Sequence, residues 1–85
     1  MPSQITLTVL FFASTAEAAR VKSWDCTLDE GALISDLSAQ LQRQFPVVKP
    51  LLRSCRFACN ETFVTLQHQL ADGDTVALIP PVSGG

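Results

Sequence analysis

Charge is scarce in this chain. Only 16% of the 85 residues are charged, against about 25% in a typical soluble domain, which predicts a surface that is partly apolar or neutral and suited to a protein partner. The six Lys and Arg (Arg20, Lys22, Arg43, Lys49, Arg53, Arg56) are scattered, and the net charge is −2. No basic stripe is available to neutralise phosphates, which argues against nucleic-acid binding. Histidine occurs once, as His68 between Gln67 and Gln69. Nothing in the sequence marks a nucleophile for it to activate, so a self-contained enzyme is disfavoured and His68 is expected to be a solvated loop residue.

Cysteine is limited to Cys26, Cys55 and Cys59. An odd number without an export signal argues against a disulfide framework and predicts small buried hydrophobes. If Cys55 and Cys59 share a strand they stand roughly 13 Å apart, at about 3.3 Å per residue, too far for a bond. The thiols and the lone histidine lack the ligand spacing of a zinc motif, so no metal is expected. Asp72 and Asp74 suggest calcium only superficially, since a calcium shell of about 6–8 oxygens needs further ligands. No segment is long enough to span a membrane. Residues 7–13 are apolar and precede Ala16-Glu17-Ala18, which resembles a secretory cleavage site. However, residues 1–4 carry no basic side chain, and Thr6 and Thr8 alternate with Ile5, Leu7 and Val9 as in a strand. A cytoplasmic protein is expected.

What is abundant is apolar material: 47% of the residues are hydrophobic, enough for a single core in one small domain. Residues 4–12 alternate and then become wholly apolar, as in a central strand buried on both faces at its end. A short Ala-rich link over residues 14–19, compatible with helix, leads to a second alternating run over residues 21–28. That run places Lys22, Trp24, Cys26 and Leu28 on one face, so a hairpin with the first strand follows. Over residues 31–45 the period changes. Ile34, Leu37, Leu41 and Phe45 form one helical stripe with Leu33 at its edge; Pro46 ends it, Asp29 and Glu30 lie near its positive end, and Arg43 falls in its last turn.

Residues 56–59 and 62–66 read as strands joined by Asn60-Glu61, a two-residue connection in which Asn tolerates positive φ; Glu is a poorer choice there than Gly. Leu70-Ala71-Asp72-Gly73-Asp74 reads as a turn with Gly at the left-handed position, and residues 75–79 as the last strand. One helix covering one face of a mixed sheet predicts a small α+β fold with the first and last strands parallel.

After that strand come Pro80-Pro81-Val82-Ser83-Gly84-Gly85. A Gly-Gly end reads either as a loose tail or as a chemical handle. Two residues without Cβ atoms can thread a narrow slot and present a carboxylate, and two prolines favour an extended lead-in. Six residues reach roughly 20 Å at about 3.3 Å each. The domain is therefore expected over residues 1–79, with a projecting tail over residues 80–85.

The β-β-α-β-β-β order ending in Gly-Gly resembles the ubiquitin-like β-grasp pattern. Four stretches narrow it: Val9-Leu10-Phe11-Phe12-Ala13, Phe57-Ala58-Cys59-Asn60-Glu61, Leu70-Ala71-Asp72-Gly73-Asp74-Thr75-Val76-Ala77, and Ile79-Pro80-Pro81-Val82-Ser83-Gly84-Gly85. With these the chain resembles the small-subunit family of molybdopterin synthase, the MoaD-type sulfur carriers. It departs from the family in lacking an Arg before Glu17 and in having Cys59-Asn60-Glu61 where Val-Asn-Gln is commoner.

The resemblance implies that an ATP-dependent, E1-like activating enzyme adenylates Gly85 and that a sulfur donor converts the adenylate into a thiocarboxylate. The tail, bound to the large (MoaE-type) subunit in a heterotetramer, then donates sulfur to cyclic pyranopterin monophosphate to form the molybdopterin dithiolene. The chain itself would bind no cofactor and supply no catalytic side chain. Gly84 would give clearance, Pro80 and Pro81 would aim the tail with Val82 and Ser83, and Phe12, Ile79 and Val82 would contribute to an apolar docking surface. Core packing is the alternative for Phe12 and Ile79. Rival readings are a carrier for the thiamine pathway or for tRNA thiolation, a ubiquitin-like modifier that forms isopeptide bonds through Gly85, and a β-grasp binding module with an inert tail.

Overall fold

The computed structural model describes residues 3–81. In chain order the elements are β1 (Gln4–Phe11), α1 (Ala13–Ala19), β2 (Ser23–Asp29), α2 (Ile34–Gln44), a 3-10 turn (Pro46–Val48), α3 (Lys49–Leu52), β3 (Arg56–Cys59), β4 (Thr62–Val64) and β5 (Thr75–Ile79). The five strands form one sheet in the order β2-β1-β5-β3-β4. β1 and β5 run parallel, and the other neighbouring pairs are antiparallel. This is the α+β arrangement expected from the sequence, including the parallel first and last strands. β1 is an interior strand, but the middle of the sheet is β5.

Alternation sorts the side chains of β1. Ile5, Leu7, Val9 and Phe11 are buried, while Thr6 is exposed and Leu10 half-buried. β2 contributes Trp24, Cys26 and Leu28 to the same layer, as its period-two pattern predicts. α2 lies on this face, with Ile34, Leu37 and Leu41 fully buried. Phe45, at its end, packs edge-on to Phe11 and Trp24 at centroid distances of 5.2 and 5.4 Å.

Three local expectations are revised. α2 begins at Ile34, after Gly31 turns the chain at φ +92°. Asp29 therefore belongs to β2, and the acid in the first turn is Asp36, whose Oδ2 accepts the Leu33 N–H at 2.8 Å. Pro46 ends α2 but also opens the 3-10 turn, because its fixed φ suits a first helical position. That turn buries Val48 completely. Finally, β1 is not buried on both faces at its end: Phe12 is 46% exposed, because the helices cover only the other face.

The turns follow the residue chemistry. Asn60 and Glu61 both have positive φ, 49° and 72°, as a two-residue primed turn requires, and Gly73 sits at φ +85°. In α1 the fully buried Thr15 uses one hydroxyl twice. Its Oγ1 donates to the Phe12 carbonyl at 2.7 Å and accepts the Phe12 N–H at 3.0 Å, fixing the point where β1 passes into the helix.

Candidate functional site

The face of the sheet that α2 leaves bare leads to the chain exit. Pairing aligns Leu10 with Ala77, Ala77 with Ala58, and Ala58 with Phe63, one row across β1, β5, β3 and β4. By alternation Phe12 and Ile79 lie on the same face, one step further along β1 and β5. The middle of the row is two alanines and its ends are larger side chains, so the surface is hollow. Leu10, Phe12, Ala58, Phe63, Ala77 and Ile79 line an open concavity of about 650 Å³, edged by Asn60, Glu61 and Thr75.

Phe63 is 53% exposed, and the Arg56 guanidinium carbon lies 3.9 Å from its ring centroid, a cation–π contact that holds the ring at the rim. Aromatic side chains left in water around an apolar hollow mark a surface suited to a partner. Of the predicted docking residues, Phe12 and Ile79 lie together here, Ile79 half-buried. Core packing is thus the wrong account of Phe12. Leu10, Ala58, Phe63 and Ala77 line the same hollow without being singled out by the sequence reading; the strand alternation that predicts the core contains them, once the uncovered face is known.

β5 ends at Ile79, paired with Arg56. Pro80 is half-buried and Pro81 exposed. The predicted site residues Val82, Ser83, Gly84 and Gly85 lie outside the described residues.

The acidic turn before β5 has a structural task. Asp72 Oδ1 accepts the Thr6 N–H at 2.8 Å. Asp74 accepts the Ala71 N–H at 2.8 Å and the Asn60 side-chain amide at 2.9 Å, and Asn60 Oδ1 accepts the Thr75 N–H at 3.0 Å. These bonds tie the β3–β4 turn to the start of β5. Burial works against ionisation of Asp74. The hydrogen bonds donated by Ala71, Asn60 and Cys59, together with the charge of His68, outweigh it and hold the carboxyl below the usual range.

Cys26 and Cys59 are buried, whereas Cys55 is half-buried at the mouth of β3. Burial raises all three thiols; Cys59, also hydrogen-bonded to and facing the charge of Asp74, is pushed up to about 11. His68 is not a solvated loop residue. It is half-buried, its carbonyl accepts the Ile34 N–H at 3.0 Å, and its ring lies beside Cys59 and Asp74.

A five-stranded mixed sheet with parallel β1 and β5 and one long helix across a single face defines a ubiquitin-like β-grasp protein. SAMP1 of Haloferax volcanii has the same fold: TM-score 0.88 and 26% identity, covering 94% of this chain and 99% of that one. The chain belongs to the ThiS family, which matches residues 9–85. Among its relatives, the molybdopterin synthase sulfur carrier subunit of Chlamydomonas reinhardtii is 42% identical over 79 residues, spanning 91% of this chain and 95% of that protein. A solved complex of subunits 1 and 2 of molybdopterin-converting factor from Helicobacter pylori contains a similar chain, with TM-score 0.72 and 28% identity over 95% of this chain and 100% of that one. Among the described residues, no helix is long and apolar enough to cross a membrane.

Proposed function

We propose that this chain is the sulfur carrier subunit of a cytoplasmic molybdopterin synthase. The observation that carries the reading is the apolar concavity of Leu10, Phe12, Ala58, Phe63, Ala77 and Ile79 beside the end of β5. A partner seated there takes up the six residues that follow Ile79 in the same act. The likeness to sulfur carrier subunits and to one chain of a two-subunit complex supports the choice of partner, the large subunit of the synthase.

On this reading Gly85 carries the chemistry. A carboxylate is a poor electrophile, so an activating enzyme spends ATP to place AMP on it, releasing diphosphate. A sulfur donor then displaces AMP and leaves a thiocarboxylate, whose anionic sulfur is a nucleophile at neutral pH as thiolates are. In the active site of the large subunit that sulfur bonds to cyclic pyranopterin monophosphate as one of the two dithiolene sulfurs, water cleaves the acyl–sulfur bond and returns the tail to a carboxylate, and a second loaded chain supplies the other sulfur. Gly84 gives clearance, and Pro80 and Pro81 aim the tail. No side chain of this chain acts as acid, base or metal ligand in the transfer. The assembly is a heterotetramer, with two small subunits flanking a large-subunit dimer.

The deciding experiment is intact-mass measurement with C-terminal peptide mapping, after incubation with ATP, the activating enzyme and a sulfur donor. Replacement of one oxygen by sulfur at Gly85 is expected. An unmodified Gly85, with the enzyme active on a control carrier, overturns the reading. The close match to SAMP1, a small archaeal modifier protein, favours one second reading, in which Gly85 forms isopeptide bonds with lysines of other proteins. Slower-migrating conjugates in extract that vanish when Gly84-Gly85 is deleted would select it.

A further inference from the structure

Cys59, His68 and Asp74 share no recognisable motif, yet the fold gathers them. Cys59 ends β3, His68 lies in the connection from β4 to β5, and Asp74 immediately precedes β5. Antiparallel pairing of β3 with β5 sets Cys59 opposite Val76, two residues beyond Asp74. The bond from Ile34 to the His68 carbonyl holds the connection against the start of α2. A thiol sulfur, an imidazole nitrogen and a carboxylate oxygen consequently lie within 4.8 Å of one another. Cys59 Sγ and Asp74 Oδ2 are only 3.4 Å apart.

We propose that Cys59, His68 and Asp74 form a three-ligand site for a zinc ion, with water in the fourth position. The expectation of no metal compared ligands along the sequence; long-range strand pairing supplies the proximity that sequence spacing lacks. The donor set selects the metal class, since thiolate and imidazole suit a borderline-soft transition ion rather than magnesium or calcium.

The dimensions also fit. Tetrahedral zinc with bonds of about 2.0–2.3 Å holds its ligand atoms about 3.3–3.8 Å apart. The Cys59–Asp74 edge is already within that range. The widest edge must close by roughly 1 Å, which rotation of the half-buried His68 ring provides while its backbone stays bonded.

The proton that Cys59 now donates to Asp74 leaves to solvent, and the ion takes its place. The Ala71 N–H and the Asn60 amide orient the Asp74 carboxylate for this role. The ion would clamp the end of β3, the β4–β5 connection and the approach to β5. Cys59 belongs to the core cluster and alternates with Ala58 of the open face, so the ligand sulfur lies on the side of the sheet away from the docking surface, and Asn60, which bonds Asp74 and edges the concavity, is the residue the two share.

The test uses the full chain, reduced and stripped of metal with a chelator that is then removed. Cobalt(II) serves as a spectroscopic probe, and zinc is titrated by calorimetry and followed by Tm. A thiolate-to-cobalt charge-transfer band with tetrahedral d–d absorption is expected, with one ion bound per chain and a higher Tm on adding zinc. Cys59→Val, which fills the position with an apolar side chain of similar size, should remove the band and the Tm rise. Cys55→Ser should keep both, and His68→Gln should weaken zinc at least tenfold. Absence of a thiolate band in the folded wild-type chain, a band that survives Cys59→Val, or zinc affinity unaffected by His68→Gln would overturn the site.

Discussion

Ala58 and Ala77 face each other across β3 and β5 at the centre of the uncovered sheet face, and Ala58 is only 8% exposed although nothing from the helices covers it. Two methyl groups flanked by Leu10 and Phe63 make the hollow. A larger side chain at either position fills it without entering the core.

Ala77→Glu should leave the fold intact and weaken binding to the large subunit. Occluding the centre of an interface costs about 2 kcal/mol, roughly thirtyfold in Kd. Ile79→Asp should act in the same direction. Calorimetry with the large subunit checks both, and unchanged affinity for both variants would show the face to be idle.

Deleting Gly85 should abolish sulfur transfer to the pterin while leaving Tm unchanged, since Gly85 follows the last strand, which ends at Ile79, by six residues. Normal product formation by the deleted chain rules out the thiocarboxylate mechanism.

Thr15→Val keeps the buried volume but removes the hydroxyl that both donates to and accepts from the Phe12 backbone. Leaving the part-buried Phe12 N–H without a partner costs about 1–3 kcal/mol, while the Phe12 carbonyl keeps its bonds from the Thr15 and Ala16 N–H groups. At about 4–8 °C per kcal/mol for a domain of this size, thermal unfolding should register it clearly.

Asp74 is held below the usual carboxylate range, so its contribution to stability is present above that range and is lost as pH falls through its folded value. With a chelator present to exclude metal, denaturant titrations should show the wild-type chain losing stability below about pH 4. Asp74→Asn should be less stable at neutral pH and flatter over the acid interval. Parallel acid limbs for the two proteins would remove Asp74 from the account.

Thiol alkylation should discriminate among the cysteines. Burial raises each of them and lowers the reactive thiolate fraction. Cys55, half-buried, should be modified first, and buried Cys26 and Cys59 only on unfolding. Peptide mapping after mild alkylation reads the order directly, and early modification of Cys59 would show that its site opens readily.

Much of the fold was legible because periodicity reports burial. The stripe Ile34, Leu37, Leu41 and Phe45 could only be a one-faced helix, and Trp24, Cys26 and Leu28 could only share a strand face. Asn60 and Gly73 marked turns because positive φ is tolerated by few residue types. The segment over residues 46–52 was not legible: Pro46 reads as a helix stop, and that it also opens a new turn is evident only from the burial of Val48 against the core. The end of β1 misled for a related reason. Leu10 and Phe12 are apolar, and apolarity does not say whether a side chain meets a helix or waits for another protein.

The sequence by itself determined the five strands, the α2 helix, their order and the chemical character of the Gly84-Gly85 end, because these depend on local periodicity, turn chemistry and the absence of Cβ atoms. Only the tertiary structure decided which face of the sheet stays bare and which distant side chains meet. The placement of α2 leaves the Leu10–Phe63 row open, and the pairing of β3 with β5 brings Cys59 to Asp74, 15 positions away along the chain. Both outcomes follow from strand register and layer packing, long-range properties that no local pattern encodes.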